Sequence, residues 1–165
     1  MAATRRHAEI AGAGFAGLVA AATLANQGWS VRVHEANDEL RETGAGLFLW
    51  GNGLSVLESL GVYEALAAGA HAAPHWDVRV GDTLKRREPT NTADSVRMLT
   101  MTRQHLYATV LAAAEAAGAE IVTSSPVAGA TPDGTLTLRD GRTLRADLVV
   151  GADGVRSAVR DAMPF

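Results

Sequence analysis

The sequence HAEIAGAGFAGL at residues 7–18 places three glycines in a G-x-G-x-x-G pattern directly after a short apolar segment. Residues 7–11 predict a strand, and residues 18–27, which are rich in Ala and Leu, predict a helix that ends at Gly28. Residues 30–35 alternate valine with polar side chains and predict a second strand. Together these elements form a β-turn-α-β unit of about 30 residues, the size of a parallel crossover.

Each glycine of this turn has a physical reason. Gly12 permits the tight turn out of the strand, Gly14 lets the backbone approach a pyrophosphate, and Gly17 lets the helix pack closely on the sheet. The helix N-terminus offers N–H groups and a partial positive charge to phosphates, and Phe15 and Ala16 lie within the same turn. The pattern therefore predicts a dinucleotide-binding site.

An acid at the end of the second strand, Glu35, completes the pattern. Its carboxylate can accept hydrogen bonds from the ribose hydroxyls of adenosine, and it would repel a phosphorylated ribose. FAD or NAD is therefore favoured over NADP. A tight turn without a ligand is the alternative, and the combination of strand, turn, helix and acid disfavours it.

The rest of the chain predicts a mixture of elements instead of further β-α units. Residues 54–68 predict helical structure with a break at Gly61, and residues 76–87 predict a hairpin around Gly81-Asp82. The other predicted elements are strands at 96–101, 120–123 and 147–150, a helix at 104–117 that ends at Gly118, and a small antiparallel meander around 135–139. A plain NAD domain would continue as β-α units, so this order favours FAD.

Composition bounds the remaining possibilities. The chain has 165 residues, a formal net charge of -3 and no cysteine. The length suits one domain, and the mildly acidic charge disfavours a nucleic-acid partner. Without cysteine, disulfides, thiolate metal sites and a cysteine nucleophile are excluded. The one close histidine pair, His71 and His75, is separated by Pro74, which forbids a regular helix and disfavours a metal site.

The apolar stretch at residues 11–25 has two interpretations. It is too short to cross a membrane, which takes about 20 apolar residues, but its length suits a secretion signal. Its three glycines, however, match the spacing of the phosphate turn. We therefore expect a cytoplasmic protein with no membrane partner.

Three motifs occur in order along the chain. They are GAGFAGL at residues 12–18 with Glu35, MTRxxL at residues 101–106, and VVGADGVRS at residues 149–157. In this order they resemble the N-terminal half of the single-component FAD-dependent aromatic hydroxylases, which have the p-hydroxybenzoate hydroxylase fold. The resemblance covers essentially all 165 residues. It implies an α/β fold: a Rossmann-like FAD-binding domain with a parallel sheet and a small antiparallel meander, incomplete in this chain.

Residues 1–165 would then form the N-terminal part of the FAD-binding domain, with residues 75–101 contributing strands to the substrate domain. Within the family, GAG at residues 44–46 and LWGNGL at residues 49–54 resemble the pyridine-ring oxygenases of vitamin B6 breakdown. Phe48 departs from them, because it stands where they have a tyrosine.

The resemblance also implies cofactor-binding residues. The full set is Gly12, Gly14, Phe15, Ala16, Gly17, Glu35, Ala36, Arg41, Gly46, Leu47, Arg103, Val127, Asp153 and Gly154. Arg41 and Arg103 would contact the flavin cofactor, since a guanidinium donates in a rigid fork that suits pyrophosphate. Ala36 departs from the basic residue that many relatives place after the ribose acid.

Four of these residues have more specific implied roles. Gly46 and Leu47 would run beside the isoalloxazine ring, and Val127 would meet the adenine through its backbone. Asp153 would bind near the ribityl-pyrophosphate through an arginine or water, although an Asp-Gly pair also forms turns without a ligand.

The implied function is an FAD-dependent monooxygenase that uses NAD(P)H and O2 to oxygenate a small hydroxylated aromatic or N-heteroaromatic ring. The resemblance identifies no catalytic acid or base in this chain. A Gly-Asp flavin motif and most of the substrate sheet lie further along in relatives, so we expect turnover to need that half, supplied in some form such as a second polypeptide. Two alternatives remain: a non-catalytic flavin- or partner-binding fragment of a split or truncated enzyme, and an NAD-dependent dehydrogenase domain.

Overall fold

The computed structural model describes residues 5–40 and 44–163, which fall into two compact units. The first unit comprises Met1–Glu42 and Val110–Phe165, and the second comprises Thr43–Thr109. In chain order the elements are β1 (His7–Ala11), α1 (Phe15–Asn26), β2 (Ser30–His34), β3 (Gly46–Trp50), α2 (Gly51–Ser59), α3 (Tyr63–Ala68), β4 (His75–Val80), β5 (Thr83–Pro89), β6 (Met98–Thr102), α4 (Arg103–Ala116), β7 (Glu120–Val122), β8 (Val127–Thr131), β9 (Thr135–Leu138), β10 (Thr143–Arg145), β11 (Leu148–Gly151) and α5 (Ala158–Asp161).

A four-stranded parallel sheet in the order β11-β1-β2-β7 forms the centre of the first unit. Its middle strands carry small and β-branched apolar side chains that are almost fully buried, namely Ala8, Ile10, Val31 and Val33. Helix α1 follows β1 and buries Leu18, Ala21 and Ala22. It ends at Gly28, whose φ of 85° is the left-handed conformation that favours glycine after a helix. The predicted β-turn-α-β unit is confirmed.

The residues 11–25 that resemble a secretion signal are part of this core. They form the end of β1, the glycine turn and most of α1, and Leu18 and Ala21 are fully buried. The secretion-signal interpretation is therefore wrong for this segment. Among the residues that the structure describes, no helix is long and apolar enough to span a membrane.

An antiparallel meander, β8-β9-β10, packs beside the parallel sheet. Its turns contain Gly134 and Gly141, with φ of 86° and 88°. Apolar side chains join the meander to β1 and to the short helix α5; the buried cluster consists of Ala11, Val127, Ala130, Leu136, Leu138 and Val159. The meander was predicted, whereas α5 was not.

The second unit contains two antiparallel pairs, β3 with β6 and β4 with β5. The predicted hairpin is confirmed as β4-β5, but β3 was not predicted. The helical segment predicted at 54–68 begins earlier, at Gly51, and is two helices, since Gly61 has a φ of 73° between them. The rings of Phe48, Trp50 and Trp76 pack together with centroids 5.1 to 5.6 Å apart.

Candidate cofactor-binding site

A cleft of about 380 Å³ opens at the carboxyl ends of β1 and β2 in the first unit. This edge of a parallel sheet is where α/β folds bind their ligands. The lining residues come from the glycine turn, from the end of β2 and the residues after it, from the start of β8, from the turn after β9, and from the segment between β11 and the start of α5. They are Gly12, Gly14, His34, Glu35, Ala36, Asn37, Pro126, Val127, Arg139, Ala152, Asp153, Gly154, Arg156 and Ala158.

The three glycines of the turn have different surroundings. A Cβ on Gly12 would clash with the carbonyl oxygen of Ala152, and a Cβ on Gly17 would clash with the carbonyl oxygen of Gly12. Gly14, in contrast, has no atom within 4 Å of the position that a Cβ would take, and it lines the cleft. The protein's own packing requires Gly12 and Gly17, whereas the space at Gly14 fits a ligand that approaches the backbone.

The N-terminus of α1 adds a positive potential to this space. Gly14 is the N-cap and supplies no side-chain hydrogen bond, and the first turn of the helix carries no acidic residue. The partial positive charge of the 12-residue helix is therefore not neutralised by a side chain of its own first turn. This is the arrangement that receives a phosphate group.

The Glu35 carboxylate lies at the edge of the cleft and is fixed by backbone and side-chain donors. Its Oε2 accepts a hydrogen bond from the Ala13 N–H at 3.0 Å. Its Oε1 accepts from the N–H of Asn37 at 2.9 Å and from the Asn37 side-chain amide at 2.7 Å. Because a carboxylate has about four lone-pair sites, Glu35 retains capacity to accept a ribose hydroxyl. The cleft therefore fits the adenosine and pyrophosphate of a dinucleotide.

Asp153 lines the same cleft, but its carboxylate is bound to α5. Its Oδ1 accepts from the Ser157 hydroxyl at 2.5 Å, and its Oδ2 accepts from the N–H groups of Ala158 and Val159 at 2.7 and 3.3 Å. Partial burial raises the pKa of Asp153, but these donors outweigh burial and bring it below its usual value. The Asp153 carboxylate thus stabilises the turn before α5 and the start of that helix. The next residue, Gly154, also lines the cleft.

Several predicted site residues lie elsewhere. Phe15, Ala16 and Gly17 form the first turn of α1 and are not among the residues that line the cleft. Gly46, Leu47 and Arg103 belong to the second unit. There, the Arg103 N–H donates to the Ala45 carbonyl at 3.2 Å, and a Cβ on Gly44 would approach the Arg103 side chain. Arg41 falls outside the described residues.

Sequence reasoning missed other parts of the cleft. The lining residues that it did not identify are His34, Asn37, Pro126, Arg139, Ala152, Arg156 and Ala158. His34 directly precedes Glu35, so its place next to the ribose acid was a usable signal. Arg139 carries no such signal, since it follows β9 and is distant in sequence from the other motifs. Arg156 did carry one, because it stands in the VVGADGVRS motif three residues after Asp153. Within residues 5–40 and 44–163, no group of three His, Asp or Glu is placed to hold a metal ion.

Comparison with known proteins settles which cofactor this fold carries. The family described as FAD binding domain matches residues 6–165. The chain belongs to this family. Two solved structures of 2-methyl-3-hydroxypyridine-5-carboxylic acid oxygenase, the tetrameric form and the C294A mutant, are each 44% identical to this FAD-binding domain, with TM-scores of 0.93 and 0.92. The tetrameric form matches over 99% of this chain and 43% of its own.

Relatives of known activity are also similar to this chain over almost its whole length. The 2-heptyl-3-hydroxy-4(1H)-quinolone synthase of Mycobacteroides abscessus is 42% identical over 158 residues, which are 95% of this chain and 42% of the relative. The 3-hydroxybenzoate 6-hydroxylase of Polaromonas naphthalenivorans is 31% identical, over 92% of this chain and 40% of the relative. The FAD-binding domain therefore spans about two fifths of the length of these relatives.

These matches confirm the resemblance, the p-hydroxybenzoate hydroxylase-like fold and FAD as the cofactor. They set aside the NAD-dependent dehydrogenase interpretation. The individual roles assigned to the site residues, and the assignment of residues 75–101 to a substrate domain, stay predictions.

Proposed function

We propose that this FAD-binding domain is part of a flavin monooxygenase that uses NAD(P)H and O2 to oxygenate a small hydroxylated aromatic or N-heteroaromatic ring. The observation that carries the proposal is the cleft, where the open face of Gly14 and the carboxylate of Glu35 meet in a chain of the FAD-binding family. The names of relatives support the substrate class, including 3-hydroxybenzoate 6-hydroxylase and 6-hydroxynicotinate 3-monooxygenase.

In this proposal the chain's residues bind and orient the cofactor. The backbone of Gly12 and Gly14 and the N-terminus of α1 hold the pyrophosphate, and Glu35 accepts from the adenosine ribose. Pro126 and Val127, which also line the cleft, would border the adenine. FAD, once bound and reduced by NAD(P)H, supplies the electrons that activate O2 for ring oxygenation.

Turnover, on this proposal, also requires residues equivalent to the rest of the relatives' length, on this polypeptide or on a second one. The second candidate function is flavin binding without turnover, because the cleft residues named above would bind the cofactor and none of them is assigned a step of the chemistry. We place the protein in the cytoplasm, where NAD(P)H is supplied.

The first experiment is a titration of the purified chain with FAD, followed by flavin fluorescence and by the visible absorption of the bound flavin. Glu35→Gln should weaken FAD binding by roughly 10- to 100-fold, because a charge-assisted hydrogen bond is replaced by a weaker one. Asp38→Asn is the matched control: it removes the same charge from the same segment, but at a residue that does not line the cleft. A protein that stays colourless with added FAD would contradict the proposal.

The second experiment separates the two candidate functions. The chain is purified with any polypeptide that co-purifies, and NAD(P)H oxidation is measured with and without hydroxybenzoate and hydroxypyridine carboxylate substrates. Oxidation that the substrate stimulates supports the monooxygenase. Tight FAD binding without any stimulated oxidation supports the flavin-binding candidate.

A further inference from the structure

A buried polar cluster lies beneath the cleft and consists of Glu9, His34 and Ser125. Their exposed fractions are 1%, 3% and 3%. The Nε2 of His34 lies 2.7 Å from Glu9 Oε2, and its Nδ1 lies 2.8 Å from the Ser125 hydroxyl. Both nitrogens of the imidazole therefore have partners on opposite sides, and the ring is fixed in position.

The Glu9 carboxylate is held as an anion within the sheet. Three basic side chains face it: His34, His7 at 2.9 Å and Arg32 at 3.6 Å. Burial alone would raise the pKa of Glu9, but hydrogen bonds from His34 and His7 bring it below its usual value. Arg32 is shared with Glu120, at 2.9 Å. The Glu9 carboxylate is thus placed to accept a hydrogen bond from the imidazole.

Backbone hydrogen bonds connect the segments that carry this cluster to the glycine turn and to Glu35. The carbonyl of His34 accepts the N–H of Gly12 at 2.8 Å, which fixes the first glycine of the turn. The next residue, Glu35, accepts the N–H of Ser125 on its own carbonyl at 2.8 Å. The carboxylate of Glu35 then accepts the N–H of Ala13 at 3.0 Å. These hydrogen bonds link the strand end that carries the imidazole to the glycine turn and to the segment that carries Ser125.

An apolar set of similar volume would fill this space without the desolvation cost of a buried ion pair. What a polar cluster adds is direction, because hydrogen bonds fix orientation as well as distance. We propose that His34 is a positioning residue: held between Glu9 and Ser125, it keeps Glu35 and the glycine turn aligned to recognise the ribose hydroxyls of adenosine. This inference rests on the proposed FAD-binding function of the cleft.

The test compares the binding of ADP with that of 2′-deoxy-ADP by calorimetry, in the wild type and in His34→Gln, Ser125→Ala and Asp38→Asn. In the wild type, ADP should bind roughly 10- to 100-fold more tightly, since the deoxy ligand loses one charge-assisted hydrogen bond to the Glu35 carboxylate. In His34→Gln this preference should fall below about threefold, because glutamine can donate to Glu9 but cannot also reach Ser125. Ser125→Ala should act in the same direction, and Asp38→Asn should keep the wild-type preference.

A merely structural role would not change this ratio, because partial unfolding lowers the binding of both nucleotides equally. Folded variants at His34 and Ser125 that keep the wild-type preference would overturn the inference. If His34→Gln does not fold, Ser125→Ala decides by the same criterion, since it deletes only one hydroxyl. A wild type that binds neither FAD nor ADP would contradict the proposed function itself. A wild type that binds FAD and ADP but does not prefer ADP to 2′-deoxy-ADP would leave cofactor binding intact and would overturn the ribose recognition on which the inference rests.

Discussion

Replacement of Gly14 by alanine should weaken FAD binding without changing the stability of the fold. The φ of Gly14 is -75° and its backbone is extended, which any residue adopts, and no atom lies within 4 Å of the added methyl group. Alanine restricts the unfolded chain, which stabilises the protein by about 0.4–1 kcal/mol. It is also a poorer N-cap than glycine by a similar amount. The two effects oppose each other, so we expect the free energy of unfolding to change by less than about 0.5 kcal/mol.

The same methyl group would occupy space that the cofactor needs. Forcing one extra carbon into a filled site costs roughly 1–3 kcal/mol, which corresponds to a Kd for FAD that is about 5- to 150-fold higher. The observable is a protein of unchanged stability with weakened flavin binding. Urea unfolding followed by circular dichroism gives the first quantity, and quenching of FAD fluorescence gives the second.

A matched control is available at the first residue of α2. An added Cβ on Gly51 would lie 3.7 Å from the Cβ of Arg97, which is ordinary van der Waals contact. Gly51→Ala should therefore leave FAD affinity unchanged and raise the free energy of unfolding by about 0.4–1 kcal/mol, because alanine restricts the unfolded chain and Trp50, not Gly51, is the N-cap of α2. If Gly14→Ala bound FAD as the wild type does, the open space would not be where the cofactor meets the turn, and the reasoning would be refuted.

Three further predictions concern the fold. Gly17→Ala should lower the free energy of unfolding in urea by about 3 kcal/mol, because its methyl group meets the Gly12 carbonyl oxygen; a stable variant would contradict the close packing. Leu136→Ala, at a fully buried position of the meander, should lower the free energy of unfolding by about 2–5 kcal/mol and lower the Tm; an unchanged Tm would mean that the meander is not part of the core. Asp153→Asn should cost about 1 kcal/mol at pH 7, measured by urea unfolding. Because the pKa of Asp153 is lowered in the folded protein, its stabilisation is present above about pH 4 and is lost as the pH falls through the folded pKa. The difference in unfolding free energy between the wild type and Asp153→Asn should therefore narrow in acid. A difference that stays constant with pH would refute the ionic contribution.

The elements that sequence predicted well are those whose geometry is local. The strand, glycine turn and helix at residues 7–28 are specified by neighbouring residues, and so are the meander turns. Strand β3 was missed because its partner β6 lies about 50 residues away, and its Gly46-Leu47-Phe48 sequence has no clear alternation. Helix α5 has four residues, which is too short for any periodicity.

The residues of the cleft also differ in whether local sequence could identify them. Gly12, Gly14 and Glu35 were identified because their spacing carries the signal, and all three line the cleft. Arg139 reaches the cleft only through the tertiary fold, so spacing could not identify it, whereas Arg156 follows Asp153 within a motif that the sequence already marked. For Asp153, sequence left two roles open, and the choice depended on whether donors of the following helix lay within reach of its carboxylate.

The contact between Gly12 and Ala152 also bears on the order of folding. The N–H of Ala152 donates to the Ala11 carbonyl at 2.8 Å, and β1 lies between β2 and β11 in the sheet. The turn near the start of the chain is therefore completed only when a strand about 140 residues later has been synthesised and has docked. Until then β1 presents an unpaired edge, which is a state prone to aggregation. A nascent chain would have to be protected from aggregation over this interval. The cofactor could stabilise the chain only after β11 has docked, because the turn that binds it is complete only then.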